Sequence, residues 1–229
     1  MNGLKCLLAS AVGLVVGAGQ VQAGLMTLQS TDNGWYDNAG NHSTTNTNTW
    51  TGTDGSIYRN SFYNFDVSSL SGSTITSASI TFFAGNGYYQ TSDSFETLEI
   101  WDVNTTPGLG SSLAVYNDLM SGVRYGQTDV ATPSSLDPMP AVTVVLSSQS
   151  FNDILDDNFF SLGAHISTLA PNAYQVLWAS SSWLPAAQLT VETTTANTVP
   201  EPASLAIFGA MGLAVCGMGR RRRKALLAA

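Results

Sequence analysis

The chain has 229 residues, with 16 acidic residues against 8 lysines and arginines, a formal charge of −8 and 44% hydrophobic residues. That much apolar and aromatic content excludes a disordered polyanion, and the acidic balance excludes a nucleic-acid binder working through a basic face. Six of the eight cations, Lys5 and Arg220 to Lys224, lie at the two ends, so residues 24–193 hold fifteen acids and only Arg59 and Arg124, a formal charge of −13. Such a surface repels nucleic acid and anionic membranes.

Residues 1–23 read as a secretory signal. Lys5 supplies the positive start, Leu7 to Val16 the apolar stretch, and Val21-Gln22-Ala23 a small-x-small site with cleavage expected after Ala23. Cys6 precedes the apolar stretch, which argues against a lipoprotein signal. The other cysteine, Cys216, is also near a chain end, so the exported part, about 175 residues and long enough for one substantial core, needs no disulfide.

Asp32-Asn33-Gly34, Asp37-Asn38 and Asp54-Gly55 place carboxylates in turns near the start of that domain. Hard cations take six to eight oxygens from such turns, so Asp32, Asp37 and Asp54 are candidate ligands for a structural calcium, although no complete calcium loop is present. Asx-Gly pairs are first of all turn formers, and no cofactor is required by the sequence. The Asn/Thr-rich stretch from Asn41 to Thr53 is expected to be a surface loop.

Period-two alternation then recurs, the mark of half-buried strands. Tyr63, Phe65 and Val67 form one set; Ala78, Ile80, Phe82 and Ala84 a second; Val142, Val144 and Leu146 a third. Tyr174, Val176 and Trp178, then Ala187, Leu189 and Val191, complete the series. Leu98 to Val103 is apolar on both faces, which suits a central strand or a bulge. Two stretches read as helical: Ser148 to Asp156, with a cap-like serine and Phe151, Ile154 and Leu155 at helical spacing, and a shorter turn around Ala114 to Leu119. Eight to ten strands without alternating helices predict an all-β, antiparallel, jelly-roll-like β-sandwich over residues 24–193.

The chain closes on Val199-Pro200-Glu201-Pro202-Ala203-Ser204, an apolar run to Gly219 and Arg220-Arg221-Arg222-Arg223-Lys224. Residues 194–202 are expected to be an extended linker, because Pro200 and Pro202 cannot donate backbone hydrogen bonds. Ala203 to Gly219 spans roughly 25 Å as a helix, close to a bilayer core once flanking residues and local thinning are counted. A buried core helix is the competing reading, but the run carries Gly209, Gly212, Gly217 and Gly219 and no polar face. The cations at 220–224 hold residues 220–229 as a cytoplasmic tail and stop the helix in the inner membrane. The order of these parts resembles the PEP-CTERM sorting signal of exopolysaccharide-producing Gram-negative bacteria. The resemblance implies that Pro200, Glu201 and Pro202 are read by a membrane protease, the exosortase.

Arg59-Asn60-Ser61-Phe62-Tyr63-Asn64-Phe65-Asp66-Val67-Ser68-Ser69-Leu70, followed by Ile75 to Phe82, resembles the opening of DNRLRE-type secreted domains. That resemblance implies a jelly-roll sandwich related to carbohydrate-binding modules.

Residues with catalytic potential are few. The two histidines, His42 and His165, stand apart in sequence, and no metalloprotease helix, nucleophile elbow or phosphate loop is present. Asp156 and Asp157 are adjacent acids at a helix end, an arrangement commoner in solvated caps than in glycoside hydrolysis, which needs carboxyls set apart across a sugar. Trp35, Tyr36, Trp50, Tyr88, Tyr89 and Trp183 lie near expected turns and are candidate sugar platforms, with core packing as the competing role.

Three functions of different class follow. The first is a non-catalytic cell-surface or extracellular-matrix protein sorted through its tail and associated with exopolysaccharide or biofilm. The second is a specific carbohydrate-binding module, and the third a polysaccharide-active enzyme of unrecognised type. The first is the reading adopted, with exosortase, the inner membrane before processing and extracellular polysaccharide as partners, and no nucleic acid.

Overall fold

The computed structural model describes residues 21–83, 89–132, 141–179 and 187–196. The compact unit Ala23–Thr195 is an antiparallel two-sheet sandwich. The smaller sheet has the order β1 (Val21–Gln29), β12 (Ala187–Ala196), β5 (Thr74–Phe82), β9 (Val142–Leu146). The larger runs β6 (Tyr89–Gln90), β11 (Tyr174–Ala179), β3 (Thr49–Asp54), β4 (Tyr58–Asp66), β10 (Phe159–Ile166), β7 (Phe95–Asp102), β8 (Arg124–Ala131), with β2 (Asp32–Asp37) also paired to β4. Residues 1–20 of the signal and the tail beyond Ala196, including the expected membrane helix, lie outside the described residues, as do Ala84, Tyr88 and Trp183.

The alternating residues make the core. Ala78, Ile80 and Phe82 of β5, Val144 and Leu146 of β9, and Ala187, Leu189 and Val191 of β12 project from one sheet. They meet Tyr63 and Phe65 of β4, Leu98 and Ile100 of β7, and Phe160, Leu162 and Ala164 of β10 from the other. Side chains at every second position of a strand share a face, so these runs bury one row and leave the other to solvent or to the second layer. On one side the sheets approach each other, with the Ser147 amide after β9 donating to the Tyr125 carbonyl of β8 at 2.6 Å.

β7 is an interior strand between β10 and β8, as its two apolar faces imply. Its pairing with β8 also slips between Ile100 and Trp101, where Ile100 faces Gly126 and Trp101 faces Arg124. Tyr125 is therefore the extra residue, and the bulge belongs to the partner strand.

Two expectations are corrected. Asn41 to Thr53 is not wholly a loop, because Thr49–Asp54 is an interior strand with Thr49, Thr51 and Thr53 buried. Threonine's β-branched side chain suits a strand, and here its hydroxyl is satisfied, Thr51 Oγ1 donating to Ser61 Oγ at 2.8 Å. The second helix, α2 (Ser150–Asp156), starts two residues later than expected, and Gln149, not Ser148, stands at its cap without a side-chain bond. β12 runs to Ala196 and β1 begins at Val21.

The first helix, α1 (Leu113–Asp118), forms as expected, with Ser112 Oγ accepting from the Val115 amide at 3.3 Å. It lies on the outer face of the large sheet, where Val115, Tyr116 and Leu119 pack with Tyr36 and Phe62 in a second, smaller core. Gly163 of β10 permits this contact, since a Cβ there would stand 2.7 Å from Leu119 Cα.

Candidate functional site

The strands β2, β3 and β4 converge on Arg59. Its guanidinium carbon lies 4.1 Å from the Trp50 ring centroid and 5.2 Å from that of Trp35, with an indole contributed by each neighbouring strand. Arg59 Nη1 donates to Asp54 Oδ2 at 2.9 Å, and its side chain is only 10% exposed. A guanidinium over two indoles loses part of its water in exchange for the electron-rich ring faces, and the carboxylate completes its pairing. Trp50 Nε1 and Arg59 Nε are buried with no acceptor among the described residues.

The three candidate calcium carboxylates are each engaged by the chain. Asp54 Oδ1 accepts from the Ser56 and Ile57 amides at 3.1 and 2.9 Å while Oδ2 holds Arg59. Asp37 accepts from the Ala39 and Asn41 amides and from the Asn41 side chain at 2.8–2.9 Å. Burial pushes the Asp37 carboxyl up, but these bonds and the charge of Arg59 together hold it below the usual carboxylate range. Asp32 Oδ1 caps the Asn33 amide at 2.9 Å. Among the described residues, no three acidic, histidine or cysteine side chains converge as a metal site would require.

The candidate sugar platforms separate in the same way. Tyr36 is fully buried, stacked on His42 with centroids 4.5 Å apart and packed on Phe62, so it is core and not platform. Tyr89 is also buried, its hydroxyl donating to the Val130 carbonyl at 2.7 Å, and burial followed by the charge of Glu96 pushes that hydroxyl up to about 12. Both are aromatics from a turn-rich stretch that the sandwich turned inward. Trp35 and Trp50 remain half-buried at the surface.

Both histidines serve the fold. His42 Nδ1 donates to the Trp35 carbonyl at 2.9 Å. His165 Nδ1 lies 3.0 Å from Asn60 Oδ1 on the outer face, beside the Glu99 that also accepts from Arg124 Nη1 at 2.6 Å and Trp101 Nε1 at 3.2 Å. Burial lowers the His165 pKa more than the charge of Glu99 raises it, so the imidazole sits below its ordinary value. The folded state then takes up a proton less readily than the unfolded state. Stability holds above about pH 6.5 and declines as the pH falls below it. We expect the thermal midpoint to drop between pH 7 and pH 5, and the drop to shrink in His165→Gln; an unchanged slope in that variant would assign the acid sensitivity elsewhere.

Asp156 and Asp157 line a shallow recess with Val67, Ser71, Ile154, Leu155 and Asn158. Asp157 Oδ1 accepts from the Asn158 amide at 2.6 Å, the turn role that adjacent acids at a helix end fulfil.

A buried polar cluster that no sequence pattern marks links β11, the neighbour of β3, to Glu96 of β7 and to the segment that follows β6. Gln175 of β11 donates through Nε2 to Glu96 Oε1 at 2.6 Å and Asp93 Oδ2 at 2.8 Å, and its Oε1 accepts from the Ala170 amide. Glu96 also accepts from Thr91 Oγ1 at 2.5 Å and from Thr168 Oγ1. Neither Gln175 nor Glu96 belongs to a sequence motif, and only their near-complete burial marks them.

Among the described residues no helix is long and apolar enough to cross a membrane. The domain's last described strand ends at Ala196, four positions before Pro200. No curated protein matches the chain at a significant level. Residues 198–224 match the model of the PEP-CTERM protein-sorting motif, which covers Pro200, Glu201 and Pro202, the apolar run and the cations through Lys224, and marks the chain as a protein sorted through the exosortase system.

Proposed function

We propose that this is a non-catalytic cell-surface or extracellular-matrix protein: exported by the signal at 1–23, held in the inner membrane by 203–219, processed by an exosortase and delivered to exopolysaccharide as a jelly-roll-like module. The observation that carries the reading is the match at 198–224, with all three parts of the signal in order. Each cation at 220–224 would cost about 2.5–3.5 kcal/mol at the bilayer centre, so together they resist translocation and fix the orientation. The resemblance of residues 59–82 to DNRLRE-type domains supports the architecture.

Changing Pro200, Glu201 and Pro202 together to Ala should leave an unprocessed precursor in the inner membrane of a host carrying an exosortase. Replacing Arg220 to Arg223 with Ser should misorient the tail. Immunoblots of membrane, surface and medium fractions read both results. If the triple variant is delivered like the parent, the motif is only a linker and the reading falls. In cells that make no exopolysaccharide, the processed protein should appear in the medium instead of the matrix.

A specific carbohydrate-binding module is the second reading. It is favoured by Trp35 and Trp50, half-buried at the surface and both met by the Arg59 guanidinium, with Trp50 Nε1 and Arg59 Nε lacking an acceptor among the described residues. Retention on a panel of polysaccharides that is lost in Trp35→Ala with the fold intact would support it over the first.

A further inference from the structure

The ends of the two sheets are protected unequally. β8 and β9 close on each other, with the Ser147 amide bonded to the Tyr125 carbonyl and Gly126 so near the Val145 carbonyl that a Cβ would not fit. β6 is two residues long. β1 is the long edge strand, paired among the described residues with β12 alone. Natural edges are blunted by charge, proline, a bulge or a covering segment, yet Gly24 to Gln29 carries neither charge nor proline. Leu25 is 73% exposed, Thr27 and Gln29 are exposed, and Met26 and Leu28 are only half-buried at the rim of the core.

Three contacts show which backbone groups of β1 are free. Thr193 Oγ1 donates to the Gly24 carbonyl at 3.4 Å, the hydroxyls of Thr27 and Thr190 are 3.4 Å apart, and the Ser30 amide donates to the Ala187 carbonyl at 3.1 Å. Residue numbers rise on β1 as they fall on β12, so the pair is antiparallel. Backbone groups alternate sides along such a strand, and Ser30 points at β12. Gly24, Met26 and Leu28 share that direction, whereas the amides and carbonyls of Leu25, Thr27 and Gln29 point away from the sheet.

We propose that this edge is an interface between two copies of the chain, with their β1 strands paired antiparallel about a two-fold axis through Thr27. Thr27 then faces its own copy and Leu25 faces Gln29, so every outward amide and carbonyl of the edge finds a partner. A slip of two residues would leave one of those residues unpaired, and a slip of one would set outward groups against inward ones. On the core side the same register places Met26 against the second copy's Leu28, which buries both and joins the two cores across the seam. Charge selects the place as well. Residues 24–193 carry −13, so two copies repel over most of their surface, and the uncharged edge is where that repulsion is weakest. Glu192, the one acid of β12, lies beside Leu25. Across the seam it stands three strand spacings, about 14 Å, from its counterpart, beyond the roughly 8 Å over which physiological salt screens a charge.

The test uses full-length chains with Cys6→Ser and Cys216→Ser, so that an added thiol stands alone. Membrane, surface and medium fractions are pooled and mildly oxidised, which makes the result independent of where the chain is delivered. Non-reducing gels and mass spectrometry read the products. Thr27→Cys should form a covalent dimer, because facing Cα atoms in such a pair are about 5.5 Å apart, within the span of a disulfide. Val145→Cys, 71% exposed on β9 of the same sheet, supplies the collision background. It should link at least about tenfold less, since no second thiol is held within disulfide reach. Cells making both Leu25→Cys and Gln29→Cys chains should yield a mixed dimer, while either alone stays at background, like residues being about 14 Å apart. Adding Thr27→Pro removes an outward amide, leaves the β12 side untouched and should abolish the mixed dimer. Thr27→Cys at background overturns the proposal. So does Leu25→Cys that links to itself as readily as to Gln29→Cys, a mixed dimer that survives Thr27→Pro, or a Thr27→Cys chain joined to a different protein.

Discussion

Arg59→Ala should destabilise the domain by about 3 kcal/mol, at the lower end of what breaking a buried ion pair costs. The side chain is 10% exposed, it pairs with Asp54 at 2.9 Å, and it fills the space between Trp35 and Trp50. Truncation removes the charge from Asp54 and the packing from both indoles. Asp54 remains 26% exposed and keeps its turn amides, which is why the loss should not approach the upper end. Arg59→Lys should recover less than half of the loss, because an ammonium lacks the planar, weakly hydrated guanidinium that meets both rings. Urea unfolding followed by tryptophan fluorescence measures both variants. A lysine variant as stable as the parent would show that charge alone matters and that the stacking contributes nothing.

Gln175→Leu should cost a similar amount, about 3 kcal/mol, for a different reason. Leucine conserves much of the volume, so the loss comes from groups left without partners. The buried Glu96 carboxylate loses its amide donor at 2.6 Å, Asp93 loses one at 2.8 Å, and the Ala170 amide loses its acceptor. A double variant, Gln175→Leu with Glu96→Leu, should regain part of the stability, since removing both partners of a buried polar contact is cheaper than removing one. Additive losses in the double variant would mean that the two side chains do not act as one network.

The strands that the sequence made legible are those whose buried face is aliphatic or aromatic. Ala78, Ile80 and Phe82, and Ala187, Leu189 and Val191, are buried as their alternation required. β3 escaped notice because its buried row is threonine, a residue whose hydroxyl reads as loop while its branched Cβ fits a sheet. β8 escaped because its two core residues, Tyr125 and Val130, are five apart, a spacing that fits no strand until the bulge at Tyr125 is known. Among the candidate platforms, position near a turn did not say which way an aromatic faces. Tyr36 went inward because the outer face of the large sheet carries a second core under α1, which a one-core sandwich does not anticipate. The Arg59 clamp needed three strands to be placed together and could not be read from spacing. The tail was readable throughout because its parts are contiguous and their order carries the meaning.

Both basic side chains of the domain are committed to strands, Arg59 in β4 and Arg124 at the start of β8, and residues 24–193 contain no lysine. A protease that cuts after basic residues would have to unzip one of two sheet strands before finding a bond to hydrolyse. Side-chain amines, the usual handles for acylation, glycation and enzymatic cross-linking, are absent from the same stretch. Wherever hydrolases reach the module, those two properties would lengthen its life without a disulfide.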